Sequence, residues 1–494
     1  MNRTFRYTEL ADTLEGQIRS GTIGAGEKMP SIRLLHQDTG LSITTVYHAY
    51  IELEKRGVVE ARRKSGYYVK PLLENILPAP QRPSGEISPV KVTINNLAIA
   101  LCEAMGDPEV LQLGGALIAP ELLPVKTLAR LVKGVTMKEL HSDFSTYAHF
   151  MGLLPLRRRI AQRMAPFAGT VSPDDIVITN GCMDAISLCL QAVARPGDAI
   201  AVESPTFPWF LQVIEDFGMY ALELPTDSRE GIDLDQLKKA VHRHNIRACL
   251  FNPTFNNPQG YVMKHAKKAA LVELLARSGI PLIEDDVYGE LYFDPQRPTP
   301  LKAFDREGMV LYCASFSKTM SPGLRVGWTQ PGRFRDKVRR LKMNQAICAP
   351  GLTQKIVARF LQNGLYDRHL RKLRTSLQNQ MSNMALAVAR YFPDGTNISS
   401  PRGGLTVWVQ LPAGTDSLEL FRQALAARIA VLPGVICASG EVYSNCIRLS
   451  CGMPWSERMH QGIKTLASLV QKQTGHAVKP GEYRQTALSV ETAS

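Results

Sequence analysis

Residues 71–90, PLLENILPAPQRPSGEISPV, constrain the chain more than any other stretch. Prolines at 71, 78, 80, 83 and 89 remove backbone donors and fix φ, so no helix and no central strand can run through them. The chain must then fold as two units: a small one over 1–70 and a large one over 91–472, joined by an extended linker over 71–90. A freely extended linker of about twenty residues would reach up to roughly 60 Å. Beyond Lys472 the residues turn polar and lose periodicity, which predicts a mobile tail over 473–494.

Within the small unit, Leu10, Ala11, Leu14 and Ile18 share one face of a helix ending near Gly21. Ser31 is placed to cap a short helix stopped by Gly40, and Ser42 to cap a second that buries Val46, Ala49, Tyr50 and Leu53. A strand (Val58 to Ala61), a basic tip (Arg62, Arg63, Lys64, Ser65, Gly66) and a returning strand (Tyr67 to Val69) follow. This order predicts a winged helix-turn-helix. Its second motif helix would enter a DNA major groove through Ser42, Ile43, Thr44, Thr45 and Tyr47. Arg33 could reach a guanine edge, and the tip cations could take phosphates. A net charge of +13 suits a polyanion partner.

The wording G-x-x-x-x-G-E-K-M-P-S-I-R, then G-L-S-I-T-T-V-Y-x-A-Y, then R-x-x-S-G-Y-Y-V, resembles the GntR-family winged helix along its whole length. Ile43 departs from the arginine common after the capping serine in that family.

The large unit carries short motifs at successive strand ends. Ile176 to Thr179 runs into Asn180-Gly181-Cys182-Met183-Asp184, a turn whose N–H groups suit a phosphate. Glu203-Ser204-Pro205-Thr206-Phe207-Pro208 and Asn252-Pro253 leading to Asn256-Asn257-Pro258-Gln259-Gly260 come next. Glu284-Asp285-Asp286-Val287-Tyr288 and Ser315-Phe316-Ser317-Lys318, then Ser321-Pro322-Gly323-Leu324-Arg325, complete the series. A lysine flanked by serines and followed by Pro-Gly-x-Arg joins an imine-forming amine to hydroxyl and guanidinium phosphate ligands. A carboxylate at a strand end can keep a pyridine nitrogen protonated, as pyridoxal phosphate requires. Singly, each motif reads equally as a turn, a cap or a surface lysine; their order is what points to one cofactor.

That ordered set resembles the class I aminotransferases of fold type I over about 111–470. The resemblance implies that Lys318 carries pyridoxal phosphate, with Asp285 on its ring nitrogen. Asn257 and Tyr288 would hold its ring oxygen and Phe207 would stack on the ring. Gly181, Cys182, Ser315, Ser317 and Arg325 would hold its phosphate. Tyr147 matches the tyrosine that reaches a neighbouring subunit's phosphate, which implies a homodimer, and Arg448 the arginine that clamps a substrate α-carboxylate beside Asn257. Met183 and Asp184, and the loose glycine stretch Leu113-Gly114-Gly115-Ala116, depart from the usual pattern.

Together the two resemblances are those of a MocR-type regulator. They imply an α/β chain: a winged helix, then a fold-type I domain with a mostly parallel sheet and a smaller α+β C-terminal domain. They also imply a dimer in which each arm packs over the partner's large domain, sensing pyridoxal phosphate or an amine and binding double-stranded operator DNA. A genuine aminotransferase with an accessory DNA-binding domain is the alternative, and the site residues alone do not separate the two. No apolar run of membrane length and no apolar signal core is present, which predicts a cytoplasmic protein. Nine cysteines without C-x-x-C and ten histidines without H-E-x-x-H suggest neither a disulfide framework nor a metal.

Overall fold

The computed structural model describes residues 6–20, 22–62, 65–70, 76–83, 87–92, 103–104, 106–440 and 442–475. Its N-terminal unit is the expected winged helix. Helix Arg6–Arg19 buries Leu10, Ala11, Leu14 and Ile18. Ser31 and Ser42 accept the N–H groups of Leu34 and Thr45, which starts helices Ile32–Thr39 and Ile43–Lys55. Strands Val59–Arg62 and Gly66–Val69 pair antiparallel to make the wing. Tyr50 ties these parts together: it is fully buried, stacks on Tyr67 at 4.9 Å and donates its hydroxyl to Pro30 O at 2.6 Å.

The stretch read as a free linker is packed instead. Ile76 is buried in the core of the C-terminal lobe, Ile398 N donates to Pro78 O at 2.9 Å, and Arg82 donates to Gln236 at 2.7 Å. Pro89–Lys91 forms an antiparallel edge strand against Tyr220–Asp227. An edge strand tolerates proline because the missing donor can face outward. The free reach of a twenty-residue tether therefore does not apply. Packing of Ile76 leaves six residue steps from Lys70, at most about 20 Å of chain. The winged helix also contacts the large unit of its own chain. Gln378 Nε2 donates to Arg56 O at 3.0 Å, and Lys70 Nζ to Asn379 Oδ1 at 2.7 Å. Gly57, at φ 69°, faces Gln378 so closely that any Cβ would overlap that side chain.

In the large domain the sheet runs Pro89–Lys91, Tyr220–Asp227, Ala199–Ser204, Ile246–Phe251, Leu282–Asp285, Val310–Ser315, Gly327–Gln330 and Val177–Thr179. The middle strands are parallel, and Gly327–Gln330 is antiparallel to both its neighbours. Their apolar runs follow from burial on both faces. Val202, Leu250, Ile283 and Leu311 pack under helix Cys182–Val193, while Ala201, Cys249, Leu282 and Val310 pack under helices Leu234–Arg243 and His265–Arg277.

Helix Leu365–Tyr391, 27 residues long, leads into the smaller domain. There the antiparallel sheet Asn397–Ile398, Thr406–Gln410, Cys446–Ser450 and Leu432–Pro433 is covered by helices Ser417–Ala426 and Glu457–Thr474. The last helix passes the predicted end of order at 472. Val470 is buried and Gly475, at φ 66°, donates to Gln471 O to close the helix. The rest of the expected tail, 476–494, lies outside the described residues. Among the described residues no helix is long and apolar enough to cross a membrane.

Candidate functional site

Parallel strands deliver their C-terminal ends to one edge of the sheet, the usual place for a site in such folds. Lys318, three residues past strand Val310–Ser315, is half-buried and donates from Nζ to Ala116 O at 2.7 Å. Burial, then the positive charge of Arg448, lowers its pKa to about 8. Asp285 ends strand Leu282–Asp285, and its burial raises its pKa to about 6. Its Oδ1 accepts the Cys182 thiol at 3.2 Å and Val287 N–H at 3.1 Å.

A buried chain of polar groups faces them. Arg448, only 2% exposed, donates from Nη1 to Asn257 Oδ1 at 2.7 Å and from Nη2 to Gly114 O. Asn257 Nδ2 donates to the Tyr288 hydroxyl at 3.2 Å. Arg448 Nε is buried without a partner. The loose glycine stretch thus supplies a carbonyl that steers the arginine.

At the other end of the site, Arg325 holds φ 50° and donates from Nη2 to Asn180 O at 2.8 Å and from Nη1 to Ser317 Oγ at 3.4 Å. Ser315 Oγ accepts Ser317 N–H at 3.3 Å. Gly181, at φ 99°, opens helix Cys182–Val193, and a Cβ there would overlap the Arg325 guanidinium. Asp184, a departure in the sequence, has a structural task. Its Oδ2 accepts Asn180 N–H at 2.7 Å and pairs with the buried Lys342 at 3.0 Å, which fixes the turn. Phe207 stacks on Trp209 at 5.1 Å and meets Phe210 edge-on at 5.4 Å. Tyr147 does not join this buried set; it stands 81% exposed.

Sequence reasoning missed the layer beneath. Asn252 accepts Asn257 N–H on Oδ1 at 2.8 Å and donates from Nδ2 to Asp285 O at 2.7 Å. Its own N–H goes to Glu203 at 2.8 Å, and Glu203 also accepts the Tyr261 hydroxyl at 2.5 Å. Burial raises Glu203 to about 7. The available signal was a carboxylate within the last two residues of one apolar strand and an amide directly after another.

On the winged helix, Arg33, Ser42, Ile43, Thr44 and Tyr47 are exposed on one side of the motif. Thr45 is half-buried, and its hydroxyl is hydrogen-bonded to that of the capping Ser42 at 2.8 Å. Arg62 is held by Glu60 at 2.9 Å and lies 4.3 Å over Tyr68, whose hydroxyl also bonds Ser65 at 2.7 Å. Gly66 turns the wing at φ 108°, and Arg63 and Lys64 lie outside the described residues.

Known proteins share both halves. Residues 123–465 match the family "Aminotransferase class I and II", and residues 6–69 match "Bacterial regulatory proteins, gntR family". The chain is 37% identical over 475 residues to the uncharacterized HTH-type transcriptional regulator YdcR of Escherichia coli (strain K12), covering 94% of this chain and 99% of that one. It belongs to the MocR type of GntR-family regulator. Like other MocR-type chains it is a DNA-binding transcriptional regulator with an aminotransferase domain, and pyridoxal phosphate is the cofactor of that domain's family. Aminotransferases are relatives too. Aromatic-amino-acid aminotransferase 1 of Thermococcus litoralis is 30% identical over 373 residues, covering 74% of this chain and 89% of that one. The solved multiple substrate aminotransferase of Thermococcus profundus is 26% identical, with a TM-score of 0.71 over 78% of this chain and 96% of that one.

Proposed function

We propose that this regulator senses an amine or amino acid through pyridoxal phosphate on Lys318 and passes the outcome to the winged helix. The observation that supports this best is the meeting of a half-buried Lys318 with the buried Asp285, Asn257, Tyr288 and Arg448, from separate segments. The donors fit the cofactor: an amine of lowered proton affinity, a carboxylate for a pyridine nitrogen, and a guanidinium beside a glycine turn for a phosphate. Pyridoxal phosphate, when bound, supplies a carbonyl that condenses with amines and a ring that withdraws electrons.

The remaining tasks belong to the chain's own side chains. Lys318 is partly unprotonated near neutrality, so it can serve as the attaching amine. Asp285, with a pKa of about 6, is mostly ionised at pH 7 and can keep a proton on the ring nitrogen. Asn257 and Tyr288 orient the ring oxygen, Phe207 covers a ring face, and Gly181, Cys182, Ser315, Ser317 and Arg325 hold the phosphate. Arg448 receives an α-carboxylate, and its unpartnered Nε is the group ready for it. Tyr147, with Met137 and Phe144 (79% and 77% exposed), belongs to a face for a second copy. The reading therefore includes a cytoplasmic homodimer that sets two winged helices on one operator, through Arg33, Ser42, Ile43, Thr44 and Tyr47, with phosphates taken by the wing.

Borohydride reduction followed by peptide mass analysis tests the attachment. The cofactor mass is expected on Lys318, and Lys318→Ala should remove both it and the yellow colour; unchanged attachment in the variant would sink the assignment. Amino acids found by spectral titration should then change DNA affinity by about 5–150-fold. Metabolic aminotransfer is the second reading, favoured by the completeness of the buried set. Release of keto acid at about one per second or faster would support it.

A further inference from the structure

Behind the loop that carries Asn257 lies an open cleft of ≈ 860 Å³, separate from the buried set around Lys318. Its size falls within the range of small-molecule pockets, about 300–1,000 Å³. Its lining is basic: Arg229, Lys264, His265, Lys268, Arg297 and Arg402, with Asp294 the lining carboxylate. Some of these charges are already matched. Lys264 pairs with Glu230 at 2.7 Å, Arg402 with Asp294 at 2.7 Å, and Arg297 with Asp286. Lys268 is held by Thr254 Oγ1 and Thr299 O, while Arg229 is exposed.

Two independent features mark the place for an anion. Helix His265–Arg277 begins at the cleft with no side-chain cap and no acid in its first turn. Lys264, His265, Lys267 and Lys268 stand there instead, against the helix dipole, and Glu230, which pairs with Lys264 at 2.7 Å, offsets only part of that charge. Ser228 lines the cleft and is 6% exposed, yet its hydroxyl has no hydrogen-bond partner. The Ser228 hydroxyl, the exposed Arg229 guanidinium, the uncapped start of the helix and Lys264 make a phosphate-type donor set.

We infer that this cleft binds a small organic phosphate or polyphosphate, distinct from the pyridoxal phosphate on Lys318. Its position makes the occupant a regulator of the arm. Asp294, Pro295, Ser400 and Arg402 line the cleft and also the crevice where Arg19, Arg56 and Gly57 of the winged helix sit. When Arg402 turns to the anion it releases Asp294, and the charge facing the winged helix changes.

Isothermal titration of the full chain, saturated with pyridoxal phosphate, with sodium pyrophosphate at constant ionic strength tests the site. One saturable event is expected in the wild type. The Arg229→Ala/Lys264→Ala double variant should weaken it at least about tenfold, while Lys238→Ala, a cation elsewhere on the surface, should not. Equal affinities in all three proteins, or no saturable heat, would show an adventitious ion only and overturn the site. Loss of duplex affinity alone in the double variant, with no pyrophosphate heat, would overturn it in favour of a DNA-backbone contact. Hydrogen exchange over residues 54–58 should change with pyrophosphate in the wild type only; unchanged exchange would overturn the link to the arm. Absorbance of the loaded protein reports the Lys318 assignment separately, so the two readings fail independently.

Discussion

In the buried set around Lys318 nearly every polar group is spoken for by another part of the chain, whereas on the reading side of the winged helix most polar groups are left to solvent. Arg448 touches Gly114 and Asn257, and Asn257 touches Asn252 and Tyr288, across sequence separations of up to 334 residues. Arg33, Thr44 and Tyr47 lie exposed on two short helices instead. Groups that work in a dry interior must be paired before their ligand arrives, since an unpaired buried donor or acceptor costs about 1–3 kcal/mol. Groups that meet DNA keep their water until contact. One region is therefore rigid in its chemistry, and the other only in its scaffold.

That contrast can be broken. Arg448→Ala leaves Gly114 O and Asn257 Oδ1 without their donors and removes a charged clamp. The spectral response to α-amino acids should weaken about 100-fold or more, with the cofactor retained. A retained response would mean that another cation holds the ligand. Asn252→Ala strands the Asp285 carbonyl and the Asn257 N–H, and should cost about 2–4 kcal/mol in denaturant unfolding. A loss under 1 kcal/mol would show the layer beneath the site to be dispensable.

The pH response sharpens the contrast further. The pKa of Lys318 is lowered from 10.5 to about 8, so its reactive free amine grows as pH rises, with its midpoint near pH 8. Cofactor attachment to the apoprotein should accelerate with the same midpoint. Arg448→Ala removes a charge that lowers this pKa, so the midpoint should move up; a midpoint near 10.5 in the wild type would refute the buried-amine account. The smallest effect belongs to the winged helix. Ser42→Ala removes one cap and should cost about 1 kcal/mol, read as weaker DNA binding with an unchanged cofactor spectrum.

Legibility in the sequence followed the same divide. Lys318, Asp285 and Arg325 stand in short motifs at strand ends, and a strand end is a local feature that residues reveal. Asn252 and Glu203 act through partners on other strands, so their tasks depend on sheet order, which no local pattern contains. Cys182 was read for the backbone of its turn, and its thiol contact with Asp285 comes from a strand 103 residues away. The proline-rich stretch was read from its lack of donors, but Pro89–Lys91 needed only an edge, and Ile76 only a core within reach. Ser31 and Ser42 were legible because a cap is made within three residues.

Helix Leu365–Tyr391 is also a lever. Near its start Tyr366 and His369 both bond Thr319, the neighbour of Lys318, at 2.7 and 2.8 Å. Nine residues later Gln378 holds the backbone of Arg56. At 1.5 Å per residue those grips lie about 14 Å apart on one rod of roughly 40 Å. A tilt of about 5° about the first grip displaces the second by about 1 Å, roughly a third of a hydrogen-bond length. The arm is thus seated where small rotations beside the lysine arrive as translations.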